Sequence, residues 1–296
     1  SEVLENVLRI RRGDVYDGQL LQERLFFDPN GNDVSSLYLD NGYLFFQLNP
    51  VEVRVENDSI DYEMRISEGR QATINAVSVS GNDRTNDHVV MRELRTRPGA
   101  LFRRSDVQRT YRELAQLGFF DPQALDVSTL PNPQNGTVDI EYKVVEKSTS
   151  QLELQGGWGG GRVVGTIGLN FNNFSARNIW NKKAWRPLPS GDGQTISLRA
   201  QTNGSFFQSY SVSFTEPWLG GKKANSLTLS VFHNVQTNGL PKGDANRQAL
   251  QITSISAGLG RRLKWPDDYF TLYTALEYQI FNLQKYQTGF LAFNDG

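Results

Sequence analysis

The chain has 296 residues and a formal net charge of −1, from 31 Lys and Arg against 32 Asp and Glu, so it is no polycation built to hold nucleic acid through phosphates. It has no Cys and only two His, His88 and His233, far apart in sequence, which excludes disulfides and thiolate metal sites and argues against a histidine metal centre or triad. No run of about 18 apolar residues occurs, so no transmembrane helix is expected; the mean hydropathy of −0.49 still suits a membrane β-barrel, because half of a barrel's positions face a polar lumen.

The length suits two or three domains. Ser1 opens no signal peptide, and the chain reads as a mature or trimmed product. Two imperfect copies of one α+β module fill the first half, over residues 1–69 and 70–148. In the first, "GDVYDGQLLQERLF" and "DVSSLYLDNGY" predict helices, and "LFFQLNPVEVRVEN" with "SIDYEMRISEG" predicts a closing pair of strands. An opening strand is missing from this copy.

The second copy is complete. "QATINAVSVSGN" alternates Ile74, Ala76, Val77 and Val79 as a strand that ends in a Gly-Asn turn. "TNDHVVMRELRT" predicts a helix capped by Thr85 or Asn86, with Val89, Val90 and Leu94 on one face. "RRSDVQRTYRELAQLGFF" predicts the clearest helix, capped by Ser105, striped by Val107, Tyr111, Leu114 and Leu117, and stopped at Gly118. "ALDVSTL" and "TVDIEYKVVE" follow as strands. The order is βααββ, and both copies carry aromatics after a helix-ending glycine, in "GYLFF" and "LGFF".

From residue 149 to 296 about seven alternating segments predict strands. Leu152, Leu154 and Trp158 oppose Gln151, Glu153 and Gln155. Ile167, Leu169 and Phe171 follow, then Ile196, Leu198 and Ala200, then Tyr210, Val212 and Phe214, then Leu227, Leu229 and Val231. The sixth segment, "QALQITSISAGLG", slips phase near Ser254, and the seventh sets Leu272, Leu276, Tyr278 and Ile280 against Glu277 and Gln279. Alternation fits both a soluble sandwich and a membrane barrel. Strand length, a polar face of Ser, Thr, Asn, Gln and Gly rather than Lys and Glu, and aromatics at strand ends favour the barrel. In "FTEPWLGGKK" Pro217 ends a strand, Trp218 suits headgroup depth, and Lys222 with Lys223 reaches anionic headgroups. "ARNIWNKKAWR" and "GLGRRLKWPDDYF" repeat the device, so Trp180, Trp185, Trp218 and Trp265 are candidate interface anchors.

The βααββ modules resemble POTRA domains, and the chain from Gln151 resembles the start of a BamA-type outer-membrane insertase barrel. "IGLNFNNFSARNIW" is similar to that family's second strand, "SYSVSFTEPWLGG" to its fourth, and "LGFFDPQALDV" to the helix-to-strand junction of its barrel-proximal POTRA module. The implied fold is α+β POTRA modules followed by an antiparallel transmembrane β-barrel. The family's barrels have sixteen strands, so the chain reads as a fragment, since open strand edges in lipid leave costly unpaired backbone groups. The later Val-Arg-Gly-Phe type of motif is absent.

The resemblance implies a factor in the outer membrane, with POTRA modules in the periplasm, that inserts client β-barrel proteins without ATP. The client's terminal strand would add to the first barrel strand at a lateral gate. That strand matches "QLELQGGWGGG", so Gln151, Leu152, Glu153, Leu154, Gln155, Gly156, Gly157 and Trp158 are the gate candidates. Gly156, Gly157, Gly159, Gly160 and Gly161 weaken strand propensity and leave backbone bonding to dominate. A second augmentation edge falls on Leu125, Asp126, Val127, Ser128 and Thr129, for unfolded clients or accessory lipoproteins. Periplasmic chaperones and outer-membrane lipid complete the implied partners. A two-partner-secretion or TamA-like translocator shares these parts, and a soluble β-sandwich binding protein is the reading from another class. No carboxylate pair, nucleophile–base arrangement or phosphate loop is present, so neither enzyme activity, metal nor cofactor is expected.

Overall fold

A computed structural model describes residues 2–28, 30–148, 150–159, 162–185 and 187–285. Contacts divide the chain into two units, Ser1–Asn82 with Val90–Glu146, and Asp83–Val89 with Lys147–Gly296.

The first unit opens with α1 (Glu2–Leu8), α2 (Gly18–Gln22) and α3 (Val34–Asp40), followed by a hairpin of β1 (Gln47–Glu56) and β2 (Ser59–Ser67). Helix α1 is an addition to the elements expected from the sequence. Asp17 caps α2 by accepting from the N–H groups of Gln19 and Leu20 at 2.9 and 3.1 Å, and Asp33 caps α3 by accepting from Ser36 at 2.7 Å. The predicted first long helix is shorter than its pattern: after α2 it continues as a π-helical turn, Glu23–Phe27. Leu21, Leu25 and Val34 form the centre of this module, with Leu4, Val7, Phe46 and Met64 packed against them. Phe46 stacks on Tyr38 with ring centroids 4.2 Å apart, which is the aromatic plug expected after Gly42.

Next come β3 (Thr73–Ser80), α4 (Asp87–Met91), α5 (Arg104–Gln116), β4 (Asp126–Asn132) and β5 (Thr137–Lys143). The sheet order is β3-β5-β4, with β3 parallel and β4 antiparallel to the central β5. Helix α4 covers only part of its predicted span, although Val89, Val90 and Leu94 are all buried as the stripe requires. Past Met91 the chain makes three-residue turn bonds, and the Arg95 N–H donates to the Thr110 hydroxyl at 2.9 Å instead of to a helical carbonyl. The Arg95 guanidinium then grips Glu113 through two bonds of 2.9 and 2.7 Å.

Ser105 is not the cap of α5. Arg103 occupies that position without a side-chain bond, and Ser105 lies in the first turn, its N–H donating to the Asp40 carboxylate at 2.7 Å. Gly118, at φ +77°, ends the helix, and Phe119 and Phe120 follow it into the interior, edge to face at 6.1 Å. Strand β5 buries Val138, Ile140 and Tyr142 on alternate positions. Burial pushes the Tyr142 phenol above its usual range, and its hydroxyl pairs with Thr96 Oγ1 at 3.0 Å.

In the second unit β6 (Ser150–Gly159), β7 (Arg162–Phe174), β8 (Gln194–Asn203), β9 (Phe207–Glu216), β10 (Asn225–Thr237), β11 (Ala249–Arg262) and β12 (Thr271–Gln284) form one antiparallel meander in chain order. All seven predicted strands are present. Within the described residues the sheet is not closed, with β6 and β12 at its two edges. No described helix is long and apolar enough to cross a membrane, which says nothing of a barrel. This unit contains no second sheet among its described residues. The phase slip expected near Ser254 is no backbone irregularity, because β11 pairs without a register shift with both neighbours.

Registers carried across the sheet place Leu152, Leu169, Leu198, Val212, Val231, Ile255 and Tyr278 side by side, one from each strand. One residue back, on the opposite face, lie Gln151, Asn170, Ser197, Ser213, Ser230, Ser256 and Glu277. Most of the apolar row is exposed, while the polar face holds buried Thr166, Asn234 and Ser254. A water-soluble sheet has the reverse arrangement. The wall of a lipid-embedded barrel has this one, with its apolar side toward hydrocarbon and its polar side toward a crowded lumen.

Candidate functional site

The candidate site is the margin of β6. This strand bonds only to β7 among the described residues, so its other side presents backbone donors and acceptors in a row. Pairing with β7 sets Leu152, Leu154, Gly156 and Trp158 on the apolar face and Gln151, Glu153, Gln155 and Gly157 on the polar face. Leu154 is 66% exposed and Trp158 77%. Gly160 and Gly161 lie outside the described residues.

Neither Gly156 nor Gly157 is forced by sterics. A Cβ on Gly156 would meet only the Val164 carbonyl oxygen, at 3.9 Å, and one on Gly157 would meet nothing within 4 Å. Their effect is on cohesion. Gly156 stands opposite Gly165, so this rung of the β6–β7 ladder has no cross-strand side-chain contact, a term normally worth about 0.2–1 kcal/mol. The margin is therefore held mainly by its backbone.

One polar device partly offsets that weakness. Glu153 Oε1 accepts from Gln155 Nε2 at 2.9 Å and lies 3.5 Å from Arg199 Nη2, on the strand beyond β7. Gly168 is the residue between them in register, and a Cβ there would come within 3.0 Å of Glu153 Oε2. The sequence shows Arg199 as a charge on a Ser/Gln face, but only the register brings it to Glu153. Both side chains are about half exposed, so the pair should contribute about 0.2–1 kcal/mol. A double-mutant cycle with Glu153→Gln and Arg199→Ala, read by urea unfolding, should give a coupling of that size that fades in high salt. A coupling indifferent to salt would show that the contact is not ionic.

The candidate edge in the α+β module begins one residue later than expected. Leu125 is buried and precedes β4, whereas Asp126, Val127, Ser128 and Thr129 lie in β4, which pairs only with β5 among the described residues. The Asp126 carboxylate accepts from the Val127 N–H at 2.9 Å.

The four candidate anchor tryptophans lie in the turns at the end of the sheet where β6 begins. Trp180 and Trp185 sit between β7 and β8, Trp218 after β9, and Trp265 after β11. Trp180 is 93% and Trp265 83% exposed, while Trp185 turns its indole N–H to the Ile179 carbonyl at 3.1 Å. Pro217 ends β9 as expected. Glu216 beside it organises the turn, accepting from the Trp218 N–H at 2.9 Å and from Gln194 Nε2 at 2.7 Å.

A buried polar cluster at the same end has no counterpart among the sequence candidates. Asp192 accepts from Asn86 Nδ2 at 2.9 Å and from the Ser175 hydroxyl at 2.7 Å, with His88 Nε2 3.5 Å away. Asn173 donates to the Thr85 hydroxyl at 2.8 Å and accepts from the Gly193 N–H at 2.9 Å. No local pattern links residues 85–88 to 173–193, so the sequence offered no signal for it. Among the described residues no group of His, Cys, Asp and Glu is placed to hold a metal ion.

Comparison with known proteins adds the following. Residues 72–147 match the family described as POTRA, surface antigen variable number repeat. The chain is 26% identical over 265 residues to the outer membrane protein assembly factor BamA of Neisseria meningitidis serogroup B, covering 89% of this chain and 30% of that protein. It is 29% identical over 248 residues to the protein of the same name from Nitratidesulfovibrio vulgaris, covering 81% of this chain and 28% of that one. Among solved structures it matches the crystal structure of BamA from Haemophilus ducreyi lacking POTRA domains 1–3, with a TM-score of 0.69, 20% identity, and coverage of 96% and 48% of the two chains. At that identity the likeness is one of fold. The chain spans about 30% of the length of these curated relatives.

Proposed function

We propose, from the premise that the chain is a BamA-type protein with a POTRA domain at 72–147 and the leading strands of an outer-membrane barrel, that it folds and inserts client β-barrel proteins by lending them the margin of β6. It is an outer-membrane protein whose POTRA domain lies in the periplasm. The observation that carries the proposal is the pairing of β6 itself: the Gly156–Gly165 rung has no cross-strand side-chain contact, so this stretch of the strand is held mainly by backbone bonds that another strand can replace.

A client strand arriving at this edge forms backbone hydrogen bonds that do not depend on its side chains, each worth a net of about 0.5–1.5 kcal/mol. Exchange of one ladder for another is nearly balanced, so it needs no nucleotide. The same logic makes the open side of β4, from Asp126 to Thr129, a docking edge for unfolded clients, accessory lipoproteins or chaperones in the periplasm. The apolar rows face lipid, and the tryptophan-bearing turns rest at the membrane interface at the end of the sheet where β6 begins.

Single cysteines along Leu152–Gly157, paired with single cysteines in the terminal strand of a client, test the pairing. Trapping during insertion should give disulfides whose partner position shifts by one residue for each residue moved along β6, as an antiparallel or parallel ladder demands. Efficient client insertion with no cross-link to any of these positions would rule out this edge.

A further inference from the structure

At the end of the sheet opposite the tryptophan turns, the apolar face changes character. Tyr210, His233 and Thr253 lie next to one another there, and Gln208, Val235 and Gln251 form the next row outward. His233 Nδ1 pairs with Thr253 Oγ1 at 2.9 Å. The loop between β10 and β11 brings Lys242 and Arg247 to this patch, and together they enclose a cavity of about 380 Å³ lined also by Ser205, Thr237 and Leu240. Its size falls within the usual range of roughly 300–1,000 Å³ for small-ligand sites.

The cations there have no counter-charge. Among the described residues neither the Lys242 ammonium nor the Arg247 guanidinium makes an ion pair, and Arg247 Nε is buried with no hydrogen-bond acceptor. Asp244, the carboxylate of the same loop, spends one oxygen on the Asn246 N–H at 2.8 Å, and Lys285 donates to the Ala245 carbonyl at 2.9 Å. Two cations, one with a buried orphan donor, beside an imidazole, a phenol and two amides make an anion site. It opens on the side of the sheet that carries Leu198, Val212 and Val231, so an anion bound here sits directly above the hydrocarbon-facing rows.

We propose that this pocket holds the phosphate of a phosphorylated lipid headgroup in the outward-facing leaflet, whose acyl chains lie along the apolar rows below. The inference rests on the reading of the sheet as a membrane wall that the chain enters from the POTRA domain at the start of β6, the end opposite this pocket. Phosphate is the chemistry shared with soluble phosphates; placement on the lipid-facing side favours the tethered source.

The test uses the full protein in phosphatidylcholine nanodiscs carrying a minor fraction of diphosphoryl lipid A, with retained lipid read by native mass spectrometry. Wild type should retain the phosphorylated lipid over phosphatidylcholine, and added inorganic phosphate should not displace it. Lys242→Gln with Arg247→Gln should weaken retention about 30-fold, as expected for two surface cations, while Arg11→Gln with Arg12→Gln, outside the sheet, should not. Equal retention by wild type and the Lys242/Arg247 variant overturns the site, and displacement by inorganic phosphate overturns its assignment to lipid. A wild-type protein that does not enter the bilayer, judged by unshifted migration on unheated gels, overturns the membrane-wall reading and this proposal together; insertion with indifferent retention overturns this proposal alone.

Discussion

Proline placed at successive positions of β6, from Leu152 to Gly157, should sort into two alternating phenotypes. In an antiparallel pair the N–H groups of successive residues point alternately toward the partner strand and away from it. Where the N–H points away from β7, proline leaves the β6–β7 ladder intact, because an edge strand tolerates a missing outward donor. At those positions the barrel should keep its heat-dependent gel migration, while client insertion falls about 10- to 100-fold through loss of a hydrogen bond and the bulk of the ring against the incoming strand. Where the N–H points toward β7, proline should damage the barrel as well. Equal client insertion at both parities, with the barrel intact, would show that no strand adds to this margin. Gly156 and Gly157 serve well within the series, because a Cβ at either position meets no close neighbour.

How much of this was legible in the sequence differs between the elements. All seven alternating segments became strands because alternation reports a sheet with two unlike faces whichever face is wet. The direction of the faces was settled by burial, with Ser254 and Asn234 shielded on the polar side and Ile255 exposed on the other. The apparent slip in β11 has a specific cause. Leu250 and Ile252 share the parity of Ser254 and Ser256, and across the ladder they pair with Leu283 and Phe281. Toward that end of the strand the polarity of the faces changes over, while the backbone continues unbroken.

Long-range partners account for the other differences. Ser105 has a good capping side chain, yet the α5 terminus is served from outside by Asp40 of α3, a contact 65 residues away that no local preference can reveal. Arg199 looks like any charge on a lumen face until two strand registers and the absent side chain of Gly168 place it on Glu153. The stripe of α1, by contrast, was there to see. Leu4, Val7 and Leu8 recur at helical spacing, and all three pack against the Leu21–Leu25–Val34 cluster.

Gly81→Ala should be among the most damaging single substitutions in the POTRA domain, and Gly99→Ala shows why. Both glycines have left-handed backbones, at φ +91° and +81°. A methyl group at Gly99 would meet nothing within 4 Å, so its cost is the conformation alone, about 1–2 kcal/mol. At Gly81 the same methyl would lie 1.9 Å from the Val144 carbonyl oxygen, a backbone atom that cannot rotate away. That carbonyl is fixed because the Val144 N–H bonds to the Ser80 carbonyl at 2.9 Å, where the end of β3 meets the end of β5. Relief therefore requires parting the two strands, and the total cost should reach about 4 kcal/mol from strain and overpacking together. For a domain of this size that corresponds to a fall in Tm of roughly 15–30 °C, against roughly 5–15 °C for Gly99→Ala, measured by calorimetry on the domain. Equal losses would mean that β3 does not approach β5 this closely. A larger loss at Gly81 with β6–β7 pairing intact in the full protein would separate the stability of the POTRA domain from that of the sheet, although Val144 precedes β6 by only a few residues of chain.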